Sequence, residues 1–468
     1  MKPTFSVYLT VFAVILVSGC TMGPKFEKPV VETPEMYRSQ VSNADSIINL
    51  AWWELFQDTT LDTLVENALK NNREIQIAAS RMEEARAFLG FTKADQYPKV
   101  DISANATRGN LVQGIQLEEL SNNFFIAPVL GWELDFWGKY RQASEAARSE
   151  LLASEFGLRK LQISLITDVV STYFSLIDFR QRLNIARSTL ELREKSLDIM
   201  QKRFDKGIIP EIDVYQARIQ REIAAGAIPL FERQLILTEN ILSILLGRLP
   251  QSYMLDEGPD LFLQPPDIPA GLPAQLLERR PDIAEAEFLL RAQTARIGVA
   301  EAQRLPSISL TGMLGKATDD LSQLSTGELG WSISGTLFGP IFNFNKNIRR
   351  VDIEEERARQ ALLRYESTVL QAFREVEDAL AEVQTYRDQL TAKQREYEAA
   401  YGAAQLSRSR YDKGVTSYLE VLEAERSLFN VELQYSEIRA FFNNSYVRLY
   451  KALGGGWITR QEALGSRQ

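Results

Sequence analysis

The feature that most restricts this chain is that it is written twice. Arg203-Phe204-Asp205-Lys206-Gly207 returns as Arg410-Tyr411-Asp412-Lys413-Gly414, an offset of 207 residues. The same offset pairs Lys139 with Lys346, Asp168 with Glu375, Arg180 with Arg387, Leu183 with Leu390, Val214 with Val421, Ala217 with Ala424 and Gly247 with Gly454, with no insertion between them. Earlier in each copy the offset is 208, pairing Ile75 with Ile283, Gly90 with Gly298, Ala94 with Ala302 and Pro98 with Pro306. The second copy is therefore one residue shorter, and the loss falls between Leu310 and Lys346. Helices that resembled each other by chance would not hold register over so long a run, so the fold is a two-copy repeat.

The repeats occupy residues 61–249 and 274–454. Between them, residues 250–273 hold six of the chain's 17 prolines, too many for a regular helix or a central strand, so this stretch is a connector. Residues 455–468 form a short tail. At the other end, Lys2 is followed by an apolar run from Val7 to Val17 and then by Ser18-Gly19-Cys20. A basic start, a short apolar stretch and small residues before a cleavage point describe a secretory signal over residues 1–19, too short to span a membrane. Cys20 is the only cysteine, and small residues directly before it resemble a bacterial lipobox, in which the cysteine is acylated and becomes the mature N-terminus. Residues 20–60 then form an acylated, proline-spotted tether. Thr21, rather than an aspartate, resembles lipoproteins sorted to the outer membrane. One acylated end anchors a chain without spanning the bilayer.

Each copy reads as helix, strand, strand, long helix, turn, helix. From Ile348 to Leu390 apolar or Tyr residues recur in alternating steps of three and four, broken only by Glu355. That seven-residue period predicts a coiled-coil seam. In the first copy it runs from Leu165 to Phe204, with Thr172 and Arg193 as exceptions. A continuous helix from Ile348 to Tyr411 would extend about 95 Å. It is far longer than a bilayer requires and too charged to lie in lipid.

The strands answer to a different solvent. Val100 to Thr107 and Ser307 to Thr311 alternate apolar and polar residues. Their return partners are Phe124 to Trp137 and Gly330 to Phe338, which places barrel strands at about 97–137 and 305–342. Alternation flanked by aromatics is the transmembrane barrel signature, with Trp132, Trp137, Trp331 and Phe342 as interfacial belt residues. A half-buried soluble sheet has the same period. Counting favours the membrane: four strands cannot close a barrel in lipid without leaving backbone groups unpaired, so several chains must share one. The fold class is thus mainly α with a transmembrane β component, built as a homo-oligomer.

Composition removes other classes. The chain has no histidine, which excludes His-based acid–base catalysis, Ser-His-Asp triads and His-ligated metals. A lone cysteine excludes Cys-cluster metal sites. With 53 basic against 62 acidic residues, the net charge of −9 disfavours nucleic acid. No catalytic, cofactor-binding or metal-binding residue is expected, and no cofactor.

The lipobox, the duplicated strand-pair and helix-hairpin unit and the paired Arg-aromatic-Asp-Lys-Gly turns together resemble the TolC-like outer-membrane efflux factors. The similarity is greatest to the lipidated subgroup that works with resistance-nodulation-division pumps. Asn71-Asn72-Arg73-Glu74, Leu134-Asp135-Phe136-Trp137-Gly138 and Glu278-Arg279-Arg280-Pro281-Asp282 look like that subgroup too. The resemblance covers essentially the whole mature chain. It implies a homotrimer with a twelve-stranded β-barrel in the outer membrane of a Gram-negative bacterium, continued by a periplasmic helical tunnel. It also implies docking to a periplasmic adaptor and a resistance-nodulation-division transporter of the inner membrane, with drugs and other toxic small molecules as cargo.

The family's periplasmic gate maps onto the second turn. Tyr411, Leu419, Glu420 and Glu423 fall where members place a link-forming Tyr, a constricting apolar residue and pore carboxylates. Asp213, the first-copy equivalent of Glu420, would by resemblance bond to Tyr411 in the closed state. Thr416 departs from the pattern, standing where some members carry a link-forming Arg. From the residues alone, Glu420 and Glu423 lie three apart on one helix face and, around a rotation axis, would form rings of negative charge. Gly207, Ile208, Gly414 and Val415 mark the hairpin tips, where adaptor contact is expected; each Gly is also a natural helix C-cap. A lipid-anchored adaptor would need one hairpin inside a β-rich body, whereas this chain alternates two hairpins with barrel-type strands. The alternative that shares the fold is the outer-membrane duct of a type I protein secretion system.

Overall fold

A computed structural model describes residues 21–31, 34, 37, 58–112, 115–253 and 277–455. The signal segment, Cys20, most of the tether, nearly all of the proline-rich connector and the tail from 456 lie outside the described residues. In chain order the elements are α1 (Thr59–Asn71), α2 (Arg73–Ala94), β1 (Lys99–Val112), β2 (Ile115–Leu134), α3 (Lys139–Asp205) and α4 (Glu211–Leu245), then α5 (Pro281–Ala302), β3 (Ser307–Thr318), β4 (Gly330–Phe338), α6 (Lys346–Asp412) and α7 (Tyr418–Ala452). A single 3₁₀ turn, Leu321–Gln323, lies between β3 and β4. The duplication is visible in element lengths: α2 and α5 both have 22 residues, α3 and α6 both 67, α4 and α7 both 35. Among the described residues no helix is long and apolar enough to cross a membrane.

The chain divides into two compact units. The first, residues 1–31, 80–156 and 284–367, carries the sheet. Its four strands are antiparallel in the order β1-β2-β3-β4, so β1 and β4 are edges. Lys99 pairs with Gly131 in the first hairpin, and Ser307 with Phe338 in the second. Those partners differ by the offsets 208 and 207 read from the sequence, so the missing residue lies in the hairpin between β3 and β4. The central β2–β3 ladder joins the copies and passes over Ala127 and Pro128, and the ring nitrogen of Pro128 has no hydrogen to donate. Beside that gap the backbones approach closely, and a Cβ on Gly315 would lie 2.3 Å from the Cβ of Ala127.

Two expected strand limits are corrected. β2 begins at Ile115 rather than Phe124 and ends at Leu134, so Phe136 and Trp137 lie beyond it. β4 ends at Phe338, leaving Phe342 in the following connector. At the end of β2 the physical reason is the cap of α3: the carboxylate of Asp135 accepts from the backbone N–H groups of Tyr140 (3.0 Å) and Arg141 (2.8 Å), which turns the chain before Trp137. Trp137 donates its indole N–H to the carbonyl of Pro306 at 2.7 Å. Gly138 takes a left-handed φ of 79°, and its second-copy equivalent, Asn345, takes 64°. Asparagine is the side chain that best tolerates that conformation, so the turn survives loss of the glycine.

Residues just beyond Cys20 are held in this unit. The Met22 N–H donates to the carbonyl of Trp137 (3.1 Å), and the Gln142 side chain donates to the carbonyl of Met22 (3.1 Å). Gly298 leaves the room, since a Cβ there would lie 2.6 Å from the Met22 oxygen.

The second unit, residues 32–79, 157–283 and 368–468, is helical. The heptad positions are its buried seam: Leu165, Val169, Leu176, Leu183, Ala186 and Met200 in α3, and Val369, Ala372, Val376, Ala379 and Val383 in α6, are all buried. Arg193, the exception to the heptad pattern, is buried as well, at 4 % exposure. Where α3, α4 and α7 converge near the turns, Met200, Val214, Ala217, Tyr418, Val421 and Leu422 form one apolar cluster, with Phe204, Ile209 and Tyr411 packed on it. Away from the turns, Arg280 is buried and joined to Asp282, Glu375 and the carbonyl of Ala452.

Candidate functional site

Both helical turns close by the same backbone device. The Gly207 N–H donates to the carbonyl of Phe204 (2.7 Å) and that of Ile208 to Arg203 (3.0 Å). In the second turn Gly414 donates to Tyr411 (2.9 Å) and Val415 to Arg410 (2.9 Å). These are Schellman caps, which require a left-handed residue, and the glycines have φ of 70° and 73°. Ile208 and Val415, which follow them, stand exposed at 67 % and 65 %. The caps therefore present one apolar side chain at each tip.

Tyr411 and Tyr418 bracket the second turn with ring centroids 5.4 Å apart, and the guanidinium of Arg203 sits 5.2 Å from the centre of the Tyr411 ring. The Tyr411 hydroxyl donates to Met200 Sδ at 3.6 Å, so in this protomer it is directed at α3 rather than at Asp213. Asp213 lies in the first turn of α4, where a carboxylate complements the helix dipole. It is also close enough to Tyr418 to help hold that phenol neutral, although burial and then Glu425 weigh more.

Glu420 and Glu423 occupy the exposed start of α7 beside Leu419, itself 54 % exposed. Neither carboxylate is bare. Glu420 accepts from the Thr416 hydroxyl and pairs with Arg410 at 3.5 Å, while Glu423 pairs with Arg426 at 2.6 Å. Thr416 thus takes part as a hydrogen-bond donor, and the cation beside Glu420 comes from the last turn of α6.

One constellation escaped sequence reasoning. Glu425, two residues beyond Glu423 but turned inward, faces Arg408 at 3.4 Å. Arg408 also reaches the hydroxyl of Ser196 on α3 (3.2 Å). Buried Arg193 donates to the Gln220 carbonyl on α4 (2.6 Å) and stacks on Phe429 of α7 at 4.8 Å. Four helices therefore meet at two cations and one carboxylate. The only signal in the sequence was Arg193 interrupting the heptads; its partners lie up to 236 residues away, between Arg193 and Phe429.

Burial raises the Glu425 carboxyl above the ordinary carboxylate range, and Arg408 and Arg193 offset this only in part. Burial likewise lowers Arg193, against the pull of Glu425 and Tyr418. A raised carboxyl means that the folded protein binds the proton more tightly than the unfolded chain. Its contribution to stability is full below the unfolded value and is lost as pH rises through the folded value. Glu425→Gln, neutral at every pH, should therefore melt at a higher temperature than the parent at pH 7, with the difference gone at about pH 4. A lower melting point at pH 7 would mean that the arginines outweigh burial.

Among the described residues no group of three or more acidic, His or Cys side chains is placed to hold a metal ion. Two strand hairpins, each continued by a long helical hairpin, with polar and charged side chains at the turns, define a channel-forming subunit. The outer membrane efflux protein family matches twice, over residues 64–248 and 272–455. This chain belongs to that family, and so is an outer-membrane channel protein with a periplasmic helical tunnel, not an enzyme. It is 35% identical to the cation efflux system protein CusC of Escherichia coli O6:H1 over 451 residues, covering 95% of this chain and 97% of that one. Identity to the solvent efflux pump outer membrane protein SrpC of Pseudomonas putida is also 35%, over 467 residues, covering 97% and 99%. The crystal structure of the Campylobacter jejuni CmeC outer membrane channel superposes with a TM-score of 0.87 at 28% identity, covering 96% of this chain and 98% of that one.

Proposed function

We propose that the protein is a passive homotrimeric conduit that carries small toxic compounds across the outer membrane. It receives them from a resistance-nodulation-division transporter through a periplasmic adaptor. The observation that carries this reading is the surface a single copy leaves unsatisfied. Both edge strands end in open backbone groups, and β4 is exposed along its whole length. Along α4, Ile212, Ile219, Ile223, Leu230, Leu237, Ile241 and Ile244 form an apolar stripe with side chains between 42 and 65 % exposed. A stripe at helical spacing on a water-facing helix belongs against another chain. Three copies supply twelve strands, enough to close a membrane barrel. Acylation of Cys20 would anchor each copy, and the clamped segment at Met22 and Gly23 would keep that anchor near the foot of the strands. The names of the relatives, a cation efflux protein and a solvent efflux protein, support small cargo over secreted protein.

Within this reading Glu420 and Glu423 ring the narrow end, with Leu419 as an apolar constriction, Tyr411 and Asp213 as the closed-state link, and Ile208 and Val415 as adaptor contacts. Glu420→Gln with Glu423→Gln should shift single-channel selectivity in planar bilayers away from cations. The shift should be large, because Arg410 and Arg426 lose the carboxylates that neutralise them. Unchanged selectivity and conductance would remove these carboxylates from the pore.

A further inference from the structure

We propose that the wall of the channel holds a binding site for amphipathic monoanions. The site is a recess at the foot of the strands, where Arg350 meets the acid group and Trp137, Leu305 and Phe338 meet the apolar body. It stands on its own geometry; that its ligand is cargo in transit rests on the conduit reading above.

The recess has a volume of about 410 Å³, within the span of about 300–1,000 Å³ that drug-sized ligands use. The end of β2, the turn into α3, the residues after α5 and the chain from β4 into α6 enclose it. Strand pairing gives the side of the sheet on which it lies, because residues opposite each other in an antiparallel ladder share a face. Glu133 and Ser307 both line the recess. Glu133 is opposite Ser309, Ser309 is opposite Thr336, and Ser307 is opposite Phe338. Leu134, Ile308 and Leu337 pair along the other, apolar face. The recess therefore belongs to the polar face, which in a shared barrel is the one turned to the aqueous lumen.

Its charges are matched except for one. Glu133 is answered by Lys139 at 2.6 Å and by the Tyr140 hydroxyl at 2.9 Å, and Asp135 by Arg141 at 3.3 Å. One turn along α6, Glu354 is taken by Arg357 at 2.6 Å. Arg350, which is exposed, donates to the side-chain oxygen of Gln303 at 2.6 Å, and among the described residues no ion pair engages it. The Gln303 carbonyl accepts from the Asn347 side chain at 3.2 Å, so one residue positions both donors. Trp137 is held in the wall by its indole bond to the Pro306 carbonyl.

The duplication shows that the fold does not require this cation. The first-copy equivalents of Asn343, Asn347 and Arg350 are Phe136, Tyr140 and Ala143, and α3 forms with the same length as α6. A guanidinium and two amides thus stand where packing alone accepts Phe, Tyr and Ala. A carboxylate or sulfonate suits the fork of a guanidinium, and a hydrocarbon body suits the apolar wall. A cation would face Arg350, and a small inorganic anion would leave the wall uncovered.

The test is equilibrium dialysis of naphthalenesulfonate against the full-length protein in a neutral maltoside detergent. Arg350→Ala, which installs the residue of the first copy, should bind about ten- to hundredfold more weakly, the range for hydrogen bonds to a charged group. Arg349→Ala should bind as the parent does, since Arg349 pairs with Asp352 at 2.9 Å and does not line the recess. Neither naphthol, which lacks the charge, nor inorganic sulfate, which lacks the ring, should displace the probe at equal concentration. Equal binding by the parent and Arg350→Ala, or displacement by sulfate, would overturn the site. In planar bilayers naphthalenesulfonate should interrupt the current of the parent and spare that of Arg350→Ala. Binding that leaves the parent's current untouched would take the site out of the duct. A protein that carries no current would bring down the conduit reading, with dialysis still deciding the site.

Discussion

Replacing Arg280 with methionine is expected to cost about 3–5 kcal/mol per chain, the range for breaking a buried ion pair from one side. Arg280 is 6 % exposed and places one guanidinium nitrogen 2.6 Å from Asp282 and 2.7 Å from Glu375, while another donates to the last-turn carbonyl of Ala452 at 2.9 Å. Methionine fills the volume of the stem but leaves Asp282 half-buried without its counter-charge and the end of α7 without a donor. The pH dependence separates this loss from a packing defect. Burial alone would raise Asp282, but the hydrogen bonds and charge of Arg280 win and hold its carboxyl below the usual value. A lowered carboxyl contributes stability above its unfolded pKa that is lost as pH falls through its folded pKa. In the parent, thermal unfolding in detergent should therefore show an acid-labile component below about pH 4, and the variant should lack it. A variant that melts within two or three degrees of the parent at pH 7 would show that the site contributes little.

Gly315→Val is expected to prevent the sheet from forming. Any Cβ at this position would lie 2.3 Å from the Cβ of Ala127, 2.3 Å from the Ile126 carbonyl oxygen and 2.7 Å from the Ala127 Cα, and two of these three are backbone atoms. The neighbouring strand cannot retreat, because the other side of β2 is paired with β1 from Lys99 onward. Overpacking of an ordinary core costs about 1–3 kcal/mol, and a backbone clash in the strand pair joining two repeats should exceed that. The expected readout is little or no folded channel protein extractable from the outer membrane, with the chain recovered in aggregates. Ala127→Gly should not rescue it, since the Ile126 oxygen remains in place; rescue would show that the Cβ–Cβ contact alone set the limit. Gly315→Ala should behave as a weaker version of the same defect.

What could be read from the sequence followed the periodic parts of the molecule. Seams repeating every seven residues and faces alternating every two depend on neighbours close in sequence, so Val369, Ala372 and Val376 declared their burial, and Val100 and Ile102 their common face. The strand ends were not so exposed to inspection. β2 starts at Ile115 although residues 115–123 carry no clear alternation, because ladder pairing with β1 extends a strand without any need for a buried face. Trp137 looked like a strand residue because its aromatic character continued the pattern; the capping carboxylate of Asp135 ends the strand first. Least visible was the Arg193, Arg408 and Glu425 constellation, whose members come from three helices and whose adjacency depends on how two hairpins pack. Glu425 shares a helix with Glu420 and Glu423, and all three meet an arginine, yet only Glu425 lies on the half-buried face of α7, a difference no spacing rule contains.

The equal helix lengths of the two copies carry a consequence for how such a gene can change. Gaining or losing one codon within a 67-residue helix would rotate everything beyond it by about 100° and shift it by about 1.5 Å. Every seam position past that point would then turn toward water at once. The hairpin between β3 and β4 has no such dependants, and it is there that the two copies differ by a residue. Drift in length should therefore concentrate at the ends of the strand hairpins, while the long helices vary only by substitution.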